Sequence, residues 1–299
     1  MPLDMNDCKK ILQIAFTFSA IWILSTMVNQ RGVSTTLKSM EEVTAYIQPS
    51  LKLYAPNDIL CIFDIDMTLL QPKHPAAYAP NVRKHLAIYH DIQRRYPTMD
   101  TSLPFLYNFL LPQRLVDEGI YPLLQVVRSR GIKVIALTAT LTGDFEGRSV
   151  EDLRYQSLKE KKLSFDDSFA ESYLVFNNLP MYRGNYPTFY KGILFSNSEK
   201  GTTNKGTVLC AFLKKLQLHP KCIIFVDDRA QNLTDAYDAL KQDFPQAQLL
   251  GIEYVGAENY CPEEISAEDF KAFWSNCFEK ACHLPYADTQ ATLSLNEKL

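Results

Sequence analysis

The chain contains no C-x-x-C pair and no Cys/His group at zinc-ligand spacing, so a zinc module is excluded. Its seven cysteines are dispersed, and Cys61 and Cys222 fall inside apolar runs, where a thiol behaves as a small buried hydrophobe. Cys277 and Cys282 stand five apart on a helical pattern, a poor geometry for a mutual disulfide. A basic surplus is missing too. With 31 Lys and Arg against 34 Asp and Glu the net charge is −3, so nothing is provided to neutralise a phosphate backbone and a nucleic-acid partner is not expected. A small phosphorylated substrate needs only a local positive pocket, which net charge does not forbid. There is no internal repeat and no low-complexity segment. What is present is apolar: 46% hydrophobic and 22% charged residues over 299 positions allow a sizeable core. The length suits one large domain, or one domain carrying an insertion.

Charge is also missing from Ile11 to Val28, a run preceded by Lys9 and Lys10. That order reads as the n-region and h-region of a secretory signal or as a membrane anchor, and no clear small-x-small cleavage signature follows it. Residues 1–32 are therefore set apart from a domain over 33–299. The expected location is exported or membrane-anchored, on the periplasmic side in a bacterium. The alternative is a cytoplasmic protein with an amphipathic helix packed on its domain.

After a polar connection at 33–56 with a short helix around Met40–Ile47, the run ILCIFDID (59–66) is apolar until it ends in acid. Such a run suits a strand buried on both faces of a parallel sheet. Similar runs occupy 132–140, 222–228 and 247–255, and KGILFS (191–196) is a further strand. Helical patterns at 121–130, 147–162, 205–218 and 232–244 separate them, the first closed by Gly131 at a C-cap position. A final helix starts near Ser266, capped with Asp269 three residues on. Strands alternating with helices imply an α/β fold: a three-layer, doubly wound parallel sheet with ligands at the carboxyl ends of its strands. Two stretches exceed an ordinary connection. One, 69–120, includes the helical pattern PNVRKHLAIYHDIQRRY and is expected to form a small, mainly helical cap; the other, 163–200, is aromatic and punctuated by Gly and Pro.

The acids and hydroxyls fall at those strand ends. Asp64, Asp66 and Thr68 follow the first run at D-x-D-x-T spacing, Thr138 closes the second, and Asp227 and Asp228 close the third. Alternate strand residues face opposite ways, so Asp64 and Asp66 converge only if the chain bends off the strand there. Two acids can share the chemistry of phosphoryl transfer. An ionised carboxylate attacks phosphorus, and the other gives a proton to the leaving oxygen and later takes one from water. Singly, each signal is weak. A strand-end turn, a β-branched strand residue or an acidic pair at a helix start would account for them. Their ordered conjunction is what argues for catalysis.

These residues, DIDMT (64–68), ALTAT ending past Thr138, Lys205 in NKGTVL, and FVDDRAQN with Asp227, Asp228 and Asn232, resemble the four motifs of the haloacid dehalogenase-like superfamily. The resemblance covers about residues 59–255 and extends to a sparsely characterised bacterial branch that offers no substrate assignment. It implies a Rossmannoid core and a Mg²⁺-dependent phosphohydrolase working through an aspartyl-phosphate. Asp64 would be nucleophile and magnesium ligand, Asp66 acid/base and backbone-carbonyl ligand, and Thr138 a hydrogen-bonding partner of the phosphoryl group. Asp228 would be the third ligand, Asp227 would support the metal shell, and Asn232 would tie down Lys205 or the acid pair. Lys191 and Lys200 compete with Lys205 for the lysine role, which a helix start favours for Lys205.

Asp66 and Thr68 favour phosphate transfer over dehalogenation. Water is the default acceptor, with a phosphotransferase or mutase, or a non-catalytic membrane-tethered phosphate-binding protein, as alternatives. Tyr182, Arg183, Tyr186, Phe189 and Tyr190 form either a substrate-contacting group or an ordinary patch packing the second insertion on the core. Lys73 and His74 are either flap or plain surface.

Overall fold

The computed structural model describes residues 32–96, 105–145, 147–198 and 203–284. The apolar run Ile11–Val28 and Lys200 lie outside them. Among the described residues no helix is long and apolar enough to cross a membrane.

The four apolar runs are strands β2 (Ile59–Phe63), β5 (Lys133–Thr138), β11 (Cys222–Asp227) and β12 (Gln248–Tyr254). They belong to an eight-stranded sheet with β1 (Thr35–Leu37), β8 (Tyr173–Val175), β9 (Thr188–Tyr190) and β10 (Ile193–Phe195). Its order is β1-β12-β11-β2-β5-β10-β9-β8. Every pair from β1 to β10 is parallel; β9 alone runs against the others, pairing antiparallel with both β10 and β8. The continuous apolar character of β2 has a direct cause, since its alternate side chains enter two different cores. Cys61 and Phe63 join Val43, Ile47, Leu51, Leu124 and Val127 on one face. Leu60 and Ile62 join Val208, Phe212, Leu233 and Leu240 on the other.

Helices α1 (Met40–Leu53), α4 (Ile120–Ser129) and α5 (Val150–Glu160) cover the first face. Helices α6 (Lys205–Lys215) and α7 (Ala230–Asp243) cover the second. The result is a Rossmann-like α/β core. Gly131 has φ +74 and ends α4, and Ser266 accepts the Asp269 N–H at the start of the last helix among the described residues, α9 (Ala267–Cys282), so both local caps form as read.

Several boundaries move. The connection at 33–56 contributes the edge strand β1, paired with β12. Helix α1 runs past Pro49 to Leu53 because Leu51 is buried in the core. The pattern at 80–96 breaks at His85 into α2 (Ala79–Lys84) and α3 (Leu86–Gln93), where the His85 ring reaches the Ile265 carbonyl at 3.1 Å. The first insertion also holds the hairpin β3 (Leu70–Pro72)/β4 (Gln113–Leu115) and a short π-helical turn, Leu106–Leu110. It does not pack alone. Tyr89, Ile92, Leu106 and Tyr107 share a core with Phe270, Trp274 and Phe278 of α9, so α9 packs with this insertion.

Helices α6 and α7 approach closely because Gly206 has no side chain. A Cβ there would stand 2.2 Å from the Asp235 carbonyl oxygen. Alanine favours a helix over glycine by about 1 kcal/mol, but a clash with backbone costs about 1–3 kcal/mol, so the clash wins. Gly206→Ala is therefore expected to lower unfolding free energy by about 1–2 kcal/mol in a urea titration. A gain in stability would show that the two helices separate freely.

Candidate active site

The chain passes from β2 to β5 and β10 on one side, then returns to β11 on the other side of β2. This reversal opens a crevice at the carboxyl ends of β2 and β11. Asp64 directly follows β2, and its N–H still donates to the Val226 carbonyl at 2.9 Å. The chain then leaves the sheet. Met67 takes φ +65, and the Leu69 and Leu70 N–H groups both close on the Ile65 carbonyl at 2.9 and 2.8 Å. A non-glycine residue in the left-handed region marks the place, just past Asp66, where the chain turns away from the strand.

Asp64, Asp227 and Asp228 converge, with one oxygen of each lying within 4.8 Å of the others. Lys205, the first residue of α6 and only 2% exposed, bridges Asp64 Oδ1 and Asp227 Oδ2, the latter at 2.7 Å. Asp227 Oδ1 accepts from the Arg229 N–H at 2.9 Å and from Asn232 Nδ2 at 2.8 Å. Asn232 thus ties down the acid pair and not the lysine. Thr68 Oγ1 donates to Asp64 Oδ2 at 3.2 Å. Asp228 takes no hydrogen bond from the described residues and keeps partial solvent access.

Burial pushes the Asp64 carboxyl up to about 7; Lys205 opposes this, while Asp227 and Asp66 reinforce it. Burial, then Asp64 and Asp227, likewise hold Asp228 well above the usual carboxylate range. Burial pulls the other way on Lys205, but Asp227 and Asp64 more than offset it and keep the ammonium above its usual range. One cation against three clustered acids leaves negative charge in a confined space. An all-oxygen set of this kind fits a hard divalent ion such as Mg²⁺.

The Asp66 side chain lies outside that triad. It receives Thr138 and Thr140 hydroxyls, each at 3.4 Å, and pairs with Arg154, whose Nη2 is 2.8 Å from Oδ1. Arg154 escapes a reading of the sequence, because an arginine inside an amphipathic helix 88 residues away carries no local signal. Of the competing lysines, Lys191 pairs with Asp152 at 3.7 Å and stacks on Tyr155 and Tyr190, away from the acids.

Phe189 is fully buried against Phe212 and is core, and the Tyr190 hydroxyl donates to Asp152 at 2.9 Å. The turn carrying Tyr182 and Arg183 is tied to the loop after β5 through Asn197, which donates to the Tyr182 carbonyl and accepts from the Thr142 N–H, both at 3.1 Å. Lys73 and His74 are both exposed. His74 accepts the Ala76 N–H at 3.2 Å and stacks on Phe273.

The family model described as "Protein of unknown function (DUF2608)" matches residues 36–281, a span that holds every site residue above. Similar chains include an uncharacterized protein of Rickettsia bellii (strain RML369-C), 24% identical over 217 residues, 68% of this chain and 70% of that one. Uncharacterized proteins of Rickettsia typhi (strain ATCC VR-144 / Wilmington) and Rickettsia prowazekii (strain Madrid E) are each 23% identical over 247 residues. Those alignments cover 80% of this chain, with 82% and 81% of the respective relatives. No solved structure matches the chain.

Proposed function

This chain belongs to the DUF2608 family, and we propose that it is a Mg²⁺-dependent phosphomonoester hydrolase of haloacid dehalogenase-like type. One observation carries the reading. Asp64 is held by Lys205 inside an acid triad at the sheet's switch point, while Asp66, two residues on, stands apart beside Thr138. A binding pocket for phosphate would have no use for a second acid kept separate from the first.

In this reading Asp64 attacks the phosphorus, the ester P–O bond breaks, and Asp66 gives its proton to the departing oxygen. Asp66 then takes a proton from the water that hydrolyses the aspartyl-phosphate, and inorganic phosphate leaves. Thr68 and Lys205 keep the Asp64 carboxylate aimed, and Thr138 would hand its hydroxyl from Asp66 to a phosphoryl oxygen. Asp64, Asp228 and the Asp66 backbone carbonyl would hold Mg²⁺, with Asp227 fixed behind them by Asn232 and Arg229. Bound there, the ion would offset phosphoryl charge.

Phosphate release from p-nitrophenyl phosphate and a phosphomonoester panel, with Mg²⁺ and with EDTA, tests this. Turnover should require Mg²⁺, stop in EDTA and return when the metal is restored. Release that ignores EDTA would remove the metal from the reading; a folded, metal-binding chain inert on every ester would remove the hydrolase.

A further inference from the structure

Nothing in the chemistry above requires Arg154, yet it is the largest of the fully buried side chains among the described residues. Its Nη2 is spent three times, on Asp66 Oδ1 at 2.8 Å, Asp66 Oδ2 at 3.1 Å and Thr140 Oγ1 at 3.2 Å. Its Nη1 and Nε are buried and have no hydrogen-bond partner among the described residues. Both belong to the planar fork of a guanidinium, whose donors match the oxygens of a carboxylate or phosphate. Leaving such donors unpaired is costly, and buried polar groups without partners are uncommon enough to need a reason.

The position of those donors is informative. Arg154 touches Asp66, the group assigned to the leaving oxygen, so it stands on the leaving-group side of the site. The ring of Phe109, from the first insertion, covers the guanidinium with its centroid 4.4 Å from Cζ. Phe109 in turn stacks on Phe105, which contacts Phe145. Tyr107, on the same turn, directs its hydroxyl at Met67 Sδ, 3.7 Å away, in the residue that follows Asp66. Asp64 is itself only 4% exposed. Arg154 is fully buried as well, so an ester reaches Asp64 and the unspent donors of Arg154 only when the residues covering them shift.

We propose that Arg154 reads the leaving group. Its Nη1 and Nε bind an oxyanion carried close to the ester oxygen, so the preferred substrates are phosphomonoesters whose alcohol bears a carboxylate or a second phosphate. The assignment rests on the hydrolase reading and adds a substrate class to it.

Three esters of matched shape test it with the full chain and Mg²⁺: 2-phospholactate, isopropyl phosphate (a methyl in place of the carboxylate) and propane-1,2-diol bisphosphate. Charge-assisted hydrogen bonds of this kind predict kcat/KM for at least one anionic ester about ten- to a hundredfold above isopropyl phosphate. The carboxylate and bisphosphate arms then say which oxyanion is read. Arg154→Met should bring that ratio to about one, and Arg154→Lys, which keeps a cation without the planar fork, should leave an intermediate ratio. The ratio is the readout because absolute rates in these variants also fall through Asp66. Equal hydrolysis of all three esters by the wild type, or a preference that survives Arg154→Met, overturns the proposal while leaving the hydrolase standing; the unpaired donors would then only lie on Phe109. If both variants fail to fold by near-UV circular dichroism, the wild-type ratio decides. A wild type inert on every ester, p-nitrophenyl phosphate included, fells the hydrolase and this proposal with it.

Discussion

Asp64→Asn is expected to reduce phosphate release by at least about ten-thousandfold, the scale on which a member of a catalytic unit is lost, and to stabilise the metal-free chain at pH 8. Both follow from one placement. The asparagine keeps the shape, the Val226 carbonyl bond and the approach of Thr68, but its amide oxygen does not form an acyl-phosphate. Stability moves the other way because Asp64 is an uncomfortable carboxylate. Burial raises it to about 7 from an ordinary 3.8, so its contribution is fully present below about 3.8 and is lost as pH rises through about 7. The wild type without metal should therefore weaken between pH 5 and pH 8, and Asp64→Asn should weaken less over the same interval. Mg²⁺ should return stability to the wild type at pH 8 and do little at pH 5, where protons hold the ligand oxygens. Urea titrations at the two pH values, with and without Mg²⁺, read this beside the rate assay. Turnover surviving in Asp64→Asn would refute the nucleophile. A variant less stable than wild type at pH 8 would mean that attraction to Lys205 outweighs the cost of burial.

Lys205→Met should be the most damaging single change to the fold around the site. The ammonium is the cation that bridges Asp64 and Asp227, all three groups being buried. Removing one partner of a buried pair strands the other charge, typically at a cost of about 3–5 kcal/mol. Methionine fills most of the volume, so the loss measured at pH 8 reports charge more than cavity. Adding Asp227→Asn should recover part of it, since the stranded carboxylate then disappears; strictly additive losses in the double variant would sink this account. Phosphate release should fall to background as well, because an unopposed Asp64 stays protonated at neutral pH.

Much of this arrangement was legible in the residues alone. Strands β2, β5 and β11 announce themselves because a strand buried on both faces must be largely apolar, and the chain leaves it only where acid begins or a hydroxyl follows. Gly131 and Ser266 are equally readable, since a cap is satisfied by backbone groups within a few residues. Asp64, Asp66, Thr138, Lys205, Asp227 and Asp228 could be picked out because each sits where a periodic element starts or stops, and in a parallel sheet the strand ends lie on one edge.

The rest depended on distance. The sequence does not say that Asn232 holds Asp227 and not Lys205, that Phe189 is core, or that α9 packs on Tyr89 and Tyr107. Nor does it say that β1 pairs with β12 or that Arg154 clasps Asp66. Periodicity and capping report what a residue does within one turn or one pleat of its own element. Partners from separate elements meet only when the sheet order and helix packing have been settled, and no local pattern encodes that meeting. Hydrophobic pattern and strand-end chemistry therefore determined the fold class and the acids. Tertiary structure alone decided that a buried arginine with unspent donors stands beside one of them.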